Sequence, residues 1–199
     1  ILLNLDSEDD AEIFVGCAGG VDTTCTFTYT TEPAPAGYHY FKVAVANGCG
    51  GHSGCDIHLG RANANKLLAR FIWSVAKKHD VVIAEIEGGN LRNAIPRAAS
   101  AIIGVPAEAK EDVRIAMNNY SAVVENEYKG VEPNLSVDLE SADAPAQCID
   151  KATAMNLINA LYCAPHGVIS MSRELEGLVE TSTNLAAIKM LPNNEILVT

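Results

Sequence analysis

Residues 38–46 read YHYFKVAVA, and within this stretch Phe41, Val43 and Val45 place an apolar side chain at every second position. Successive side chains of a β-strand point to opposite faces of a sheet, so this alternation predicts a strand with one buried face. Residues 24–31 repeat the pattern, with aromatic residues alternating with threonines. Half-exposed strands of this kind are typical of antiparallel sheets.

Three other segments repeat apolar residues at helical spacing. The first helix is predicted at residues 61–79, with apolar pairs at positions 67/68, 71/72 and 75/76. The second, at residues 107–129, follows a proline, has acidic residues in its first turn and ends before a glycine. The third, at residues 146–163, lies between two prolines and has a broad apolar face.

Further short apolar stretches predict the rest of a sheet. These strands are expected at residues 11–17, 81–87, 94–103, 134–140, 167–170, 178–190 and 195–199. The strands come in runs with helices between them, and not in strict βαβ alternation. This order favours an α+β fold, a two-layer domain in which helices pack on one face of a mainly antiparallel sheet.

Composition limits the class of function. The chain has 199 residues, 48% of them hydrophobic, which is enough for one sizeable core. Its formal charge of −11 would repel a phosphate backbone, so no nucleic-acid partner is expected. No apolar run approaches the roughly 18 residues that a membrane helix needs, so no membrane partner is expected either. We interpret the six cysteines as cytosolic thiols and expect a cytoplasmic location.

A glycine-rich stretch, GGHSGCDI at residues 50–57, places His52 in a turn shortly before the first predicted helix. Glycines on both sides of a polar side chain allow backbone conformations closed to other residues and let another group approach closely. A histidine in this setting is a candidate for contact with a ligand.

The same region carries Cys49, His52, Cys55 and His58 at a constant spacing of three, and four such side chains could bind one tetrahedral zinc. Structural zinc sites usually combine ligands from two separate elements, so we favour an interpretation without zinc. Cys49 is then a buried thiol at a strand end, Cys55 packs as a small residue, and His58 lies near the helix start. We predict no structural zinc in residues 49–58.

Asp6 follows the apolar run of residues 1–5. A carboxylate at the end of a buried strand often holds a metal ion, but periodicity alone favours a solvated strand end that caps a turn. The chain begins at Ile1 without an initiator methionine, so we interpret it as a fragment of a longer protein.

Six motifs, taken in order along the chain, resemble those of the bacterial aminoacyl-histidine dipeptidases, which are carnosinase-like di-zinc metallopeptidases. The motifs are LNLDSE at residues 3–8, GCAGG at 16–20, GHSG at 51–54, GRANA at 60–64, NAIPR at 93–97 and VETSTNL at 179–185. The resemblance runs from one end of the chain to the other.

This resemblance implies a catalytic domain with two zinc ions and, inserted in it, a lid domain that closes over a dipeptide substrate and mediates homodimerisation. Residues 1–10 then correspond to the end of a catalytic-domain strand, and residues 11–199 to the lid and dimerisation domain. The implied activity of the whole enzyme is hydrolysis of Xaa-His and related dipeptides.

The resemblance also implies roles for three residues. Asp6 falls on a zinc ligand, and His52 falls on the histidine that stabilises the tetrahedral oxyanion. Asn93 falls on an asparagine that helps to hold the substrate carboxylate; from the residues alone, a turn or cap is an equal alternative for it.

Most of the catalytic machinery of such an enzyme is absent from these 199 residues, including its other metal ligands and its glutamate base. We therefore expect the isolated chain to be inactive and to bind no di-zinc centre, because zinc needs three or four protein ligands. A free-standing, non-catalytic binding or dimerisation module of the same fold is the alternative. A hydrolase that uses Cys49 or Cys55 with His52 is a third, weaker possibility, because such a pair lacks an orienting partner.

Overall fold

The computed structural model of the chain describes residues 19–199. Its helices are α1 (Ala64–Ala76), α2 (Lys110–Glu127) and α3 (Lys151–Cys163), with short 3-10 turns at Ile57–Leu59 and Ala107–Ala109. Its strands are β1 (Cys25–Thr28), β2 (Thr31–Pro33), β3 (Tyr38–Ala46), β4 (Gly51–His52), β5 (Val82–Gly88), β6 (Ala94–Ile95), β7 (Ala99–Pro106), β8 (Ser136–Ala142), β9 (Gln147–Ile149), β10 (Gly167–Met171), β11 (Val179–Thr183), β12 (Ile188–Leu191) and β13 (Glu195–Val198). The predicted strand at residues 11–17 lies outside the described residues.

Seven of the strands form one antiparallel sheet in the order β1-β13-β12-β5-β7-β3-β8. The longest pairings join β3 to β7 and β3 to β8, so the strand predicted at residues 38–46 is central to the widest part of the sheet. Three two-stranded ladders, β4 with β6, β2 with β9 and β10 with β11, lie outside this sheet.

The three helices pack on one face of the sheet and share one apolar core with it. Phe41 and Val43 of β3 belong to the same buried cluster as Phe71 of α1, Val113 of α2 and Leu157 of α3. On the opposite face, a small cluster around Tyr40 and Cys148 lies beneath the β2–β9 ladder. The predicted two-layer α+β fold is confirmed.

Side-chain caps fix the starts of two helices. Asn63 accepts a hydrogen bond from the Lys66 backbone N–H at the start of α1, and Asp150 accepts one from the Thr153 N–H at the start of α3. Such caps satisfy backbone donors that have no partner within the helix. The third helix therefore begins at Lys151 and not at residue 146, because residues 147–149 pair with β2 as strand β9.

Three predicted strands are interrupted in the structure. The strand expected at residues 94–103 is split into β6 and β7 around Pro96, which cannot donate a ladder hydrogen bond. The strand expected at 178–190 is split into β11 and β12, and that at 24–31 into β1 and β2. Among residues 19–199, no helix is both long and apolar enough to cross a membrane.

Candidate functional site

The connection between β3 and α1, residues 47–63, is called the site loop below, and it carries His52. Within it, Gly51 and His52 form the short strand β4, which pairs with Ile95 and Ala94 of β6. The Ser53 backbone N–H donates to the Asn93 carbonyl oxygen at 2.9 Å. This ladder brings together His52 and Asn93, two residues that are 41 positions apart and that the sequence analysis singled out separately.

The ring of His52 is oriented by its own loop. Its Nδ1 accepts hydrogen bonds from the backbone N–H groups of Gly54 at 3.1 Å and Cys55 at 3.2 Å. In a neutral imidazole one nitrogen accepts and the other carries hydrogen, so these two donors assign the proton to Nε2. The side chain is exposed, and the loop therefore presents an N–H donor to whatever approaches.

Glycine is needed where the loop folds back on itself. Gly51 has φ 135°, and a Cβ there would collide with the side chains of Arg61 and Asp56. Those side chains hold the turn: Asp56 accepts from the His52 backbone N–H at 2.8 Å, and Arg61 Nη1 donates to the Gly50 carbonyl oxygen at 2.6 Å. The glycine-rich motif is thus explained by close packing around the backbone of His52.

Two residues from other segments tie the ends of the site loop. Arg97 donates from Nε to the Gly48 carbonyl oxygen at 2.9 Å, and its own carbonyl accepts from the Gly48 N–H at 3.1 Å. Glu132 accepts from the backbone N–H groups of Cys49 at 2.7 Å and Ala62 at 2.8 Å. The sequence analysis missed Glu132, which lies in a polar connection with no recognisable motif.

Asparagines from two other motifs contact each other: Asn63 is buried, Asn184 is half-buried, and Asn63 Nδ2 donates to Asn184 Oδ1 at 3.4 Å. Asn184 donates to the Ala94 carbonyl oxygen at 2.8 Å, and Asn63 donates to the Leu185 carbonyl oxygen at 3.0 Å. Asn63 Nδ2 also lies 3.1 Å from His166 Nδ1. Burial, and secondarily the charge of Lys66, lower the pKa of His166 to about 4.

Cys49 and Cys55 are exposed, so the interpretation of Cys49 as a buried thiol and of Cys55 as a packed residue is wrong. Cys49 lies beyond the end of β3, where its Sγ is 3.7 Å from the Val131 carbonyl oxygen. Its hydrogen bond to Glu132 raises the pKa of the Cys49 thiol, which disfavours it as a nucleophile. His58 is exposed in the 3-10 turn before α1.

The part of the chain that the structure describes contains no complete set of metal ligands. No group of three or more His, Cys, Asp or Glu side chains there lies close enough to hold an ion. The described residues by themselves therefore do not fit a di-zinc centre. Asp6, the predicted zinc ligand, lies outside the described residues.

A cavity of about 540 Å³ lies beside the site loop, and Asn93 is among the residues that line it. Two cationic side chains, Arg92 and Lys189, line the same cavity, although the net charge of the chain is strongly negative. Arg92 Nη1 lies 3.0 Å from Asp22 Oδ2, and Lys189 Nζ donates to the Asn90 carbonyl oxygen at 3.3 Å. Asp22 lines the cavity as well, so one of the two cations already faces a carboxylate, and Lys189 and the Asn93 amide are the groups suited to a further one.

Comparisons with known proteins show which proteins the chain is similar to. Residues 43–132 match the peptidase dimerisation domain family. The chain is 43% identical over 197 residues to the cytosol non-specific dipeptidase of Escherichia coli, a match that covers 98% of this chain and 40% of that protein. Its fold is similar to the crystal structure of aminoacylhistidine dipeptidase from Vibrio alginolyticus, with a TM-score of 0.84 and 38% identity over 88% of this chain and 36% of that one. The chain spans about two fifths of the length of these relatives.

Proposed function

Because residues 43–132 match the peptidase dimerisation domain family, we propose that the chain is the lid and dimerisation part of a dipeptidase that hydrolyses Xaa-His and related dipeptides. The similarity to two named dipeptidases, which extends over most of the chain, supports this proposal. In the proposed arrangement residues 1–10 belong to the catalytic domain and residues 11–199 to the lid. The enzyme is expected in the cytoplasm, as the name of the E. coli relative suggests.

The observation that carries the proposal is the exposed Nε2–H of His52. Hydrolysis of a peptide bond passes through a tetrahedral intermediate whose oxygen is negatively charged, and a fixed hydrogen-bond donor stabilises that charge. The loop N–H groups that occupy Nδ1 leave Nε2 as the donor. We therefore assign His52 as the oxyanion donor that the lid supplies when it closes over the substrate.

Asn93 is proposed to bind the carboxylate of the dipeptide. It lies next to His52 through the β4–β6 ladder and lines the cavity that also contains Arg92 and Lys189. Lys189 would strengthen the attraction for a carboxylate, since charge-assisted hydrogen bonds are stronger than neutral ones, whereas Arg92 already pairs with Asp22. Substrate binding and oxyanion stabilisation would then be adjacent functions of one short ladder.

Zinc belongs to the proposal for the whole enzyme only. Two zinc ions would activate the attacking water in the catalytic domain, and Asp6 would be the only one of their ligands that this chain contributes. In this proposal the described residues bind and orient the substrate, and they contain no complete metal site. The isolated chain is therefore expected to be inactive and without a di-zinc centre.

Homodimerisation is proposed to use the β8 edge of the sheet. Among the described residues β8 pairs only with β3, so its outer backbone groups are available to a second copy. A groove of about 490 Å³ runs between α2 and β8, and the outer side of α2 exposes Ile115 and Val123. A Val123→Glu variant of the full-length protein should sediment as a monomer; an unchanged dimer would exclude this face.

The activity itself is tested by comparing the full-length protein with residues 1–199 alone. We expect the full-length protein to hydrolyse a Xaa-His dipeptide and to lose that activity with a chelator. The isolated chain should show none with added zinc. The alternative, a free-standing module of the same fold, would be supported if the natural gene did not continue on both sides with metal-ligand motifs.

A further inference from the structure

Glu132 is the only charged residue among residues 19–199 that is buried, with 8% of its surface exposed. It lies in the connection between α2 and β8, and its own backbone N–H donates to the Tyr128 carbonyl oxygen at 3.1 Å. A buried carboxylate is unfavourable unless hydrogen bonds replace its lost hydration. Its position therefore needs an explanation beyond that of a solvated turn residue.

The two carboxylate oxygens of Glu132 accept hydrogen bonds from opposite ends of the site loop. Oε2 accepts from the Cys49 N–H at 2.7 Å, just after β3, and Oε1 accepts from the Ala62 N–H at 2.8 Å, just before α1. Both distances are in the short range typical of charge-assisted hydrogen bonds. One side chain thus connects the residue just after β3, where the chain leaves the core, with the residue just before α1, where it returns.

We propose that Glu132 is a positioning residue that holds both ends of the site loop and so sets the direction in which His52 presents its Nε2–H. This inference rests on the proposed function of His52. The loop is flanked by the nine-residue strand β3 and the thirteen-residue helix α1, whereas the loop itself contains only the two-residue strand β4 and the three-residue 3-10 turn Ile57–Leu59. Fixing both loop ends limits how far the imidazole can move between lid closures.

The chemistry of the clamp requires a carboxylate. Both partners are N–H donors, and an ionised carboxylate has only acceptors, so each donor is satisfied. Glutamine would keep the size of the side chain but would direct its own NH₂ group at one of the two N–H groups. Glu132→Gln therefore opens one end of the loop while leaving the rest of the packing intact.

The test uses the full-length enzyme with Glu132→Gln. A displacement of about 1 Å at a reacting group can lower a rate by 10²-fold, so we expect kcat to fall roughly ten- to a hundredfold. KM should stay within about twofold of the wild-type value, because ground-state contacts such as that of Asn93 are retained. Bound zinc should be unchanged. Hydrogen exchange at Cys49 or Ala62 should accelerate roughly tenfold.

Glu127→Gln is the matched control, because Glu127 is an acidic residue at the end of α2 whose Oε2 pairs with Arg70 Nη2 at 2.8 Å, away from the site loop. It should lose some stability without a change in kcat or in loop exchange. Equal losses of kcat in both variants would overturn the proposal, as would unchanged exchange or an unchanged kcat in Glu132→Gln.

Glu132→Asp provides a second variant that keeps the charge but is too short to reach both N–H groups. It should show the same separation of kcat from KM by a smaller factor, and it decides the question if Glu132→Gln does not fold. A wild-type enzyme without dipeptidase activity would instead contradict the proposed function. The exchange measurement would then still decide whether Glu132 holds the loop.

Discussion

Two long excursions leave the body of this domain, and they are held in opposite ways. The site loop is tied by polar side chains from other segments, including Arg97 and the buried Glu132. The second excursion comprises residues 167–183 and is called the hairpin arm. Its two strands, β10 and β11, pair with each other. The arm exposes Ile169 and Leu175, each 61% accessible. The comparison shows that side chains from other segments hold the loop that carries His52, whereas the two strands of the hairpin arm are joined by their own ladder.

The largest expected effect is that of replacing His52, the residue that the site loop presents. Removal of one oxyanion donor elsewhere costs about 2.7 to 4 kcal/mol, so His52→Ala in the full-length enzyme should lower kcat roughly a hundred- to a thousandfold. KM and bound zinc should change little, since the oxyanion exists only after attack. Steady-state kinetics and metal analysis check this.

His58→Ala is the control for that variant, because His58 is an exposed histidine in the adjacent 3-10 turn. It should leave kcat unchanged. The assignment of His52 is wrong if His52→Ala keeps near-normal kcat, or loses activity only through loss of zinc or of folding.

His166 links the two excursions, because it precedes β10 and contacts Asn63 at the start of α1. Its pKa is about 4 in the folded protein, below the usual 6.5, so the unfolded chain binds more protons between these values. Stability is therefore full above pH 6.5 and falls as the pH drops towards 4, by roughly 2 to 3 kcal/mol from this residue.

Thermal melting between pH 7 and pH 4 measures that loss. His166→Gln should be less stable than the wild type at pH 7 but should lose less stability on acidification. An identical pH dependence in the two proteins would show that protonation of His166 does not limit acid stability.

Replacing Asn93 tests whether substrate binding can be separated from the catalytic step within the β4–β6 ladder. Asn93→Ala should raise KM about tenfold with little change in kcat, which corresponds to the loss of one hydrogen bond to a charged group. Asn134→Ala, at an exposed asparagine before β8, should change neither constant. A loss of kcat at constant KM would instead place Asn93 with the oxyanion.

The hairpin arm should give the smallest effect. Ile169→Thr changes an exposed residue, so the free energy of unfolding should move by less than about 0.5 kcal/mol and kcat should stay the same. Ile86→Thr, in the core strand β5, is the contrasting variant and should be strongly destabilising. A large effect of Ile169→Thr would show that the arm is held by contacts as important as those of the site loop.

Local patterns in the sequence were sufficient for most of the fold. β3 is predicted to the residue, because its alternation continues from one end of the strand to the other. The helices are predicted within a few residues, apart from the start of α3, and two of the wrong starts lie where a side-chain cap decides the boundary, at Asn63 and Asp150. The break at Pro96 was readable from the missing N–H but was overridden by the apolar run around it.

The candidate site was only half predictable. His52 and Asn93 were found from the glycine setting and from the family resemblance, and the structure brings them together, although their roles stay predictions. Glu132 could not be found in this way, because its partners lie 83 and 70 positions away in the chain. The burial of Cys49 was misjudged, because this residue lies three positions beyond the end of β3 and is exposed in the site loop.

The pairing of β1 with β13 has a consequence for how the domain is made. Cys25 pairs with Val198, so among the described residues the first strand pairs with the last one. On the ribosome, β1 must remain without this neighbour until synthesis has reached Val198. Contacts between such distant positions slow folding, so the closing of this edge is expected to be a late event in the maturation of the domain.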